Sequence, residues 1–222
     1  MMQDKKRQYL ITELLKERPE YADISIPKGE TEQKKLLRAL FNVRLPLPIG
    51  DDFIRVQDEY LQEEIAQKGI TSIDDLEPVN PDVYLRQGDI TTLRCDAVVN
   101  AANSGMTGCY IPNHRCIDNA IHTYAGVRLR LKCAEIMRKQ GKSEEPGKAK
   151  ITPAYNLPCK YILHTVGPIV TGKLTDRDCE LLRSCYRSCL ALADEYKLNS
   201  VAFCCISTGE FHFPNDKAAK IA

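Results

Sequence analysis

Residues 98–126 read VVNAANSGMTGCYIPNHRCIDNAIHTYAG, and the order of apolar and polar residues within them decides the fold. An apolar strand runs into a polar loop that holds Cys109, His114 and Cys116. Ile117, Ala120, Ile121 and Tyr124 then recur at helical spacing, which puts the loop between the carboxyl end of a strand and the start of a helix. Open α/β sheets bind ligands at that position, where strand ends meet helix N-termini.

Working outward, short apolar runs alternate with helical patterns from Val83 onward: VYLRQGDI, CDAVVNAAN, KAKITPAY, YILHTVGP and SVAFCCI. Such alternation predicts an α/β sheet with helices on its faces. Residues 176–197 place Leu182, Cys185, Cys189, Leu192 and Tyr196 along one stripe, the pattern of a helix packed on the sheet. Upstream the pattern is purely helical. Residues 3–17 carry Tyr9, Leu10, Leu14 and Leu15, residues 31–40 carry Leu36, Leu37 and Leu40, and residues 53–66 carry Ile54, Tyr60, Leu61 and Ile65. Pro46, Pro48 and Gly50 break the chain between the second and third of these. The expected organisation is a helical N-terminal lobe over residues 1–80, read as a packing or partner-contact appendage, and an α/β domain over residues 81–222.

Composition bounds the function class. The chain is 43% hydrophobic and 27% charged, ordinary for a water-soluble domain. It has no run approaching the roughly 20 apolar residues that cross a bilayer, and its first residues lack the apolar core of a signal peptide. The expectation is a cytoplasmic protein without a membrane partner. Residues 1–80 hold 12 Lys and Arg against 16 Asp and Glu, whereas residues 81–222 hold 19 against 14, which suits an anionic ligand there. A net +1 overall is not the footprint of a nucleic-acid binder. Ten cysteines without an export signal read as reduced thiols, with Cys185, Cys189, Cys204 and Cys205 acting as small buried hydrophobes.

Zinc favours thiolate and imidazole ligands in a tetrahedral shell, and catalytic sites use three protein ligands with one position open. Cys109, His114 and Cys116 supply three. Their spacing is not a familiar finger pattern, so from spacing alone a reduced loop with incidental cysteines stays open.

VVNAAN, DNAIHTYAG, YILHTVGP and CISTGEFHFP occur in that order, with QGDI ahead of them. This set resembles the macrodomain family, and GCYIPNHRC in place of the usual glycine run resembles its zinc-containing branch. The resemblance covers roughly residues 80–222. It implies a three-layer α/β/α macrodomain with a helical N-terminal extension, shortened at its C-terminal end, because the family completes the helix that begins at Asn215 and adds a strand. It also implies a zinc-dependent hydrolase that removes mono-ADP-ribose from protein side chains, most simply from Asp or Glu. A non-catalytic ADP-ribose reader and a hydrolase of small ADP-ribose metabolites are the alternatives.

By the same resemblance, Cys109, His114 and Cys116 hold zinc, and Asp89, with Ile90 beside it, recognises the adenine amino group. Asn103 and Asp118 serve the distal ribose as catalytic residues, and Ser207, Thr208, Gly209, Glu210 and Phe211 form the diphosphate and ribose loop. Asn100, His122 and His164 are expected to be structural, the histidines with their ring nitrogens satisfied. The expected partners are ADP-ribose and a mono-ADP-ribosylated protein.

Overall fold

Apolar residues at helical spacing fold the first third of the chain into α1 (Gln3–Lys16), α2 (Glu30–Val43) and α3 (Asp51–Lys68). The protein is described by a computed structural model that covers residues 1–222. Leu10, Ile11 and Leu14 of α1 close on Leu37, Leu40 and Phe41 of α2 and on Phe53, Val56 and Leu61 of α3. Burying each such side chain contributes about 1.5–3 kcal/mol. Asp51 and Asp52 in the first turn of α3 complement its dipole, and Gly69, at φ +87°, ends it in a conformation that favours glycine.

The chain then forms β1 (Thr71–Ser72), β2 (Pro78–Asn80), β3 (Val83–Tyr84), β4 (Leu93–Arg94), β5 (Ala97–Ala101), α4 (Ile117–Ala125) and α5 (Val127–Gln140). After these come β6 (Ala149–Pro153), β7 (Tyr161–Thr165), α6 (Asp176–Glu195), β8 (Val201–Ala202) and α7 (Asn215–Ile221). The main sheet has the order β6-β7-β5-β8; β7, β5 and β8 run parallel and β6 antiparallel.

Strand side chains alternate between faces, and this separates two cores. Val98 and Ile162 pack with Ile121, Leu129 and Cys133 of α4 and α5, joined by Ile65 of α3. Ala97, Val99 and Leu163 pack with Leu182, Cys185 and Cys189 of α6 and Ala218 of α7. The result is the expected three-layer α/β/α arrangement. No helix is long and apolar enough to cross a membrane.

Two strand expectations need correction. Residues 83–90 do not enter the main sheet: β3 pairs only with β2, and Asp89 then accepts from Thr91 N and Oγ1, bending Ile90–Thr92 into a 3-10 turn. Only Val201 and Ala202 of SVAFCCI pair with β5. A turn closed by Thr208 N donating to Cys205 O begins directly after, so Cys204 is half-buried and Cys205 is exposed instead of lying in a strand core.

The lobe meets the sheet layers through polar joints. Gln57 Oε1 accepts from Val127 N at 2.9 Å where α5 begins. Arg130, 5% exposed, donates through Nη1 to the carbonyls of Phe41, Asn42 and Arg44 and through Nε to Thr107 O.

Candidate active site

Three parallel strands end on the same side of the sheet, so the loops that follow β5, β7 and β8 converge there. Val170 N donates to Phe211 O at 2.9 Å, tying the second loop to the third, and His114 Nε2 lies 3.4 Å from Glu210 Oε1, tying the first to the third.

At the end of β5 the asparagines organise around one carboxylate. Asn100 Nδ2 donates to Asp118 Oδ1 at 2.8 Å, and Asn103 Nδ2 donates to Asp118 Oδ2 at 3.1 Å. Asn103 Nδ2 also donates to Gly108 O, and its Oδ1 accepts from Gly105 N at 2.9 Å. Both amide protons of Asn103 are therefore committed, and a lone pair on Oδ1 is what remains for a ribose hydroxyl to donate to. Asp118 is 4% exposed; burial pushes its carboxyl up to about 6, against the Asn100, Arg130 and Asn103 dipoles and charge that favour ionisation. It sits behind Asn103 rather than in the open.

The loop between β5 and α4 brings Cys109, His114 and Cys116 together. Their ligand atoms lie within 4.8 Å of one another, with Cys109 Sγ 3.7 Å from His114 Nδ1. Cys116 caps α4, its Sγ accepting from Asn119 N at 3.4 Å. Burial pushes the Cys116 thiol up, and the neighbouring Cys109 adds to the effect. Two thiols this close resist ionising together unless a cation compensates them. Two sulfurs and an imidazole fit zinc, and His114 shows the usual polarity of a metal-binding histidine: one nitrogen faces the thiol and the other faces a carboxylate.

The loop after β8 holds Ser207, Thr208, Gly209, Glu210 and Phe211. Ser207 (φ +64°) and His212 (φ +56°) both occupy the left-handed region, and Phe213 N donates to Ser207 O at 2.9 Å, which curls the loop. A Cβ on Gly209 would meet nothing within 4 Å, so its backbone is open to a ligand. A Cβ on Gly167 would stand 2.0 Å from Ser207 Oγ, so the loop after β7 needs glycine there.

Asp89 and Ile90 lie apart from this cluster. Asp89 Oδ2 accepts from Lys68 Nζ of α3 at 2.8 Å, and that ammonium sits 3.3 Å from the centre of the Tyr124 ring on α4. Asp89 thus reaches α4 by way of Lys68, while Ile90 packs beside Val98 of β5 and Ile121 of α4. The Lys68 and Thr91 contacts hold its carboxyl below the usual range, although burial opposes them as the largest single cause.

His164 is buried and partnered by Asn100 Nδ2 at 3.2 Å and Thr152 Oγ1 at 2.9 Å. His122 corrects the expectation of a satisfied ring: it is buried, yet neither nitrogen has a hydrogen-bond partner, and Asp118 Oδ1 lies 3.6 Å from Nε2. Sequence reasoning also missed Arg38, Asn42, Lys68 and Arg130. Each lies on a helix as an ordinary polar residue, and no local pattern reveals the distant partner that it meets.

A sequence profile described as Macro domain matches residues 99–222. The chain is 61% identical to a protein-ADP-ribose hydrolase of Treponema medium, covering 100% of this chain and 87% of that protein. It is 51% identical to a protein-ADP-ribose hydrolase of Staphylococcus aureus strain MSSA476, covering 97% and 81%. Among solved structures it resembles the Trypanosoma brucei macrodomain in complex with ADP-ribose (TM-score 0.62, 29% identity, 88% of this chain and 82% of that one). It also resembles the Oceanobacillus iheyensis macrodomain with ADP (TM-score 0.56, 39% identity, 61% and 69%).

Proposed function

The chain belongs to the macrodomain family, and from that premise we propose that it is a protein-ADP-ribose hydrolase that uses zinc to release mono-ADP-ribose from modified side chains. The observation that carries this reading is the convergence of Cys109, His114 and Cys116 at the open ends of the parallel strands, beside Asn103. Relatives named for this activity match nearly the whole chain, which supports the enzyme class.

Cys109, His114 and Cys116 would hold the zinc, which when bound would supply Lewis acidity that lowers the pKa of a water or of a distal-ribose hydroxyl. The protein's own groups position the substrate. Asp118 fixes Asn103 so that Oδ1 accepts a ribose hydroxyl, and Glu210 orients His114 through Nε2. The curled segment 207–211 offers backbone amides to the diphosphate, with Phe211 against the ribose and Asp89 receiving the adenine amino group once Lys68 yields it. Holding the nucleotide at both ends leaves the anomeric carbon beside the metal loop, which lowers the entropic part of the barrier.

An ester to aspartate or glutamate is the substrate bond that suits this site best. A carboxylate leaves without being protonated, and the buried Asp118 is already committed to two asparagines.

The test is incubation with proteins mono-ADP-ribosylated through glutamate, arginine or serine, with zinc present or chelated. Zinc-dependent release from the glutamate-linked protein is expected. Release from none of them, with tight ADP-ribose binding, would make the protein a reader; release undiminished by thorough chelation would remove zinc from the chemistry.

A further inference from the structure

The N-terminal helices reach the metal loop directly. Arg38 Nη2 donates to the His114 carbonyl at 3.0 Å and to Asn119 Oδ1 at 2.9 Å, and Nε donates to that same oxygen at 3.3 Å. One turn further along α2, Asn42 Oδ1 accepts from Asn113 N at 2.9 Å while Nδ2 donates to Thr123 Oγ1 at 3.0 Å. Asn119 completes the tie by donating to Ile111 O at 3.1 Å.

The flanks of this loop are held by Asn103 at the Gly108 carbonyl, by Arg130 over the Tyr110 ring and by Glu210 beside His114. Ile111 is 58% exposed, so apolar burial does not anchor the stretch between them. Asn113 sits at φ +55°, in the left-handed region that asparagine tolerates better than most residues. Its backbone N–H is held by Asn42, whose own place is fixed because Arg130 binds the Asn42 carbonyl at 2.8 Å. Without these ties the thiols and the imidazole would be ordered by the metal itself, and the ordering would be subtracted from its affinity.

We propose that Arg38 is a positioning residue: the N-terminal lobe supplies no ligand, yet through Arg38 it holds residues 109–116 in the arrangement that ligates the metal. The lobe is then a working part of the site instead of an appendage. This inference rests on the zinc reading above.

The test uses the full chain as wild type, Arg38→Met and Arg38→Lys. Arg38 is only half-buried, so the methionine variant keeps the packing of α2 while losing the donors. Zinc affinity is measured by competition with a chromogenic chelator, amide exchange is followed over residues 109–119 of the metal-free protein, and ADP-ribose affinity is measured by calorimetry. Arg38→Met is expected to lower zinc affinity about 10- to 100-fold, the usual effect of losing a residue that orients a ligand. Exchange in the loop should quicken, while ADP-ribose affinity and amide exchange in the β5 and β7 core stay as they were. Arg38→Lys should recover part of the loss, because the charge and some donors remain while a compact ammonium lacks the planar fork that spans both acceptors. If wild type takes up zinc and Arg38→Met binds it equally tightly with unchanged loop exchange, the positioning role is overturned alone. If wild type takes up no zinc, the metal reading falls and this inference falls with it.

Discussion

Replacing Arg130 by methionine should unfasten the helical lobe from the sheet layers. The guanidinium is 5% exposed, lies over the Tyr110 ring at 4.3 Å, and serves the carbonyls of Phe41, Asn42, Arg44 and Thr107 at 2.6–3.0 Å. Three of those carbonyls close the C-terminal end of α2, where the helix dipole also favours a cation. Each hydrogen bond to a charged group contributes about 1.5–3 kcal/mol, but three share one nitrogen, and burial of the cation offsets part of the gain. We therefore expect a loss of about 3–5 kcal/mol, the scale of removing one member of a buried charged network. For a chain of this size that corresponds to a melting temperature lower by about 6–20 °C. Arg130→Lys should recover less than half, since a point ammonium cannot reach both Thr107 and the end of α2. Urea unfolding of the three proteins, read through far-ultraviolet circular dichroism, measures this. A loss below about 1 kcal/mol for Arg130→Met would refute the reasoning, because it would mean that the four carbonyls find other partners at no cost.

Asp89→Asn should weaken ADP-ribose binding about 5- to 150-fold, the equivalent of about 1–3 kcal/mol for one polar contact; calorimetry showing equal affinity would detach Asp89 from adenine. Cys109→Ala should abolish most hydrolysis and zinc uptake while retaining ADP-ribose affinity, because Asp89 and residues 207–211 lie outside the loop of residues 109–116; release at the wild-type rate would make any zinc structural. Burial holds the Asp118 carboxyl at about 6 in the fold, above its ordinary 3.8, so its protonation stabilises the native state as pH falls between these values. Asp118→Asn should accordingly steepen acid destabilisation between pH 6 and pH 4 by about 1.4 kcal/mol per pH unit, and parallel curves of urea stability against pH for the two proteins would contradict the buried assignment. His164, held neutral down to about 3 by burial, works in the opposite sense: its contribution is complete above pH 6.5 and is lost as pH falls below it, so a variant such as His164→Asn should be less acid-sensitive than wild type in the same assay.

Periodicity determined most of the helices and an α/β sheet with helices on its faces, and the family resemblance supplied the three-layer order. Apolar residues repeating every three or four positions fix α1, α2, α3 and α6, and the short apolar runs fix β5, β6 and β7, because a side chain's burial depends on which face of its own element it occupies. The thiols and imidazole of residues 109–116 were legible for the same reason, since all three ligand candidates lie within one loop. Sequence order could not tell that Asp89 would cap a turn and keep residues 83–90 out of the sheet, nor that β8 would stop after Ala202. A short apolar run is compatible with several pairings, and the competing local hydrogen bonds decide among them. The contacts that bring the N-terminal helices to the site are long-range. Arg38 meets His114 across 76 residues, Arg130 meets Asn42 across 88, and Lys68 meets Asp89 across 21. Nothing near Arg38 or Arg130 in the chain distinguishes them from solvated helical residues. Only the packing of α2, α5 and residues 109–116 against one another buries Arg130, half-buries Arg38 and makes backbone carbonyls their partners.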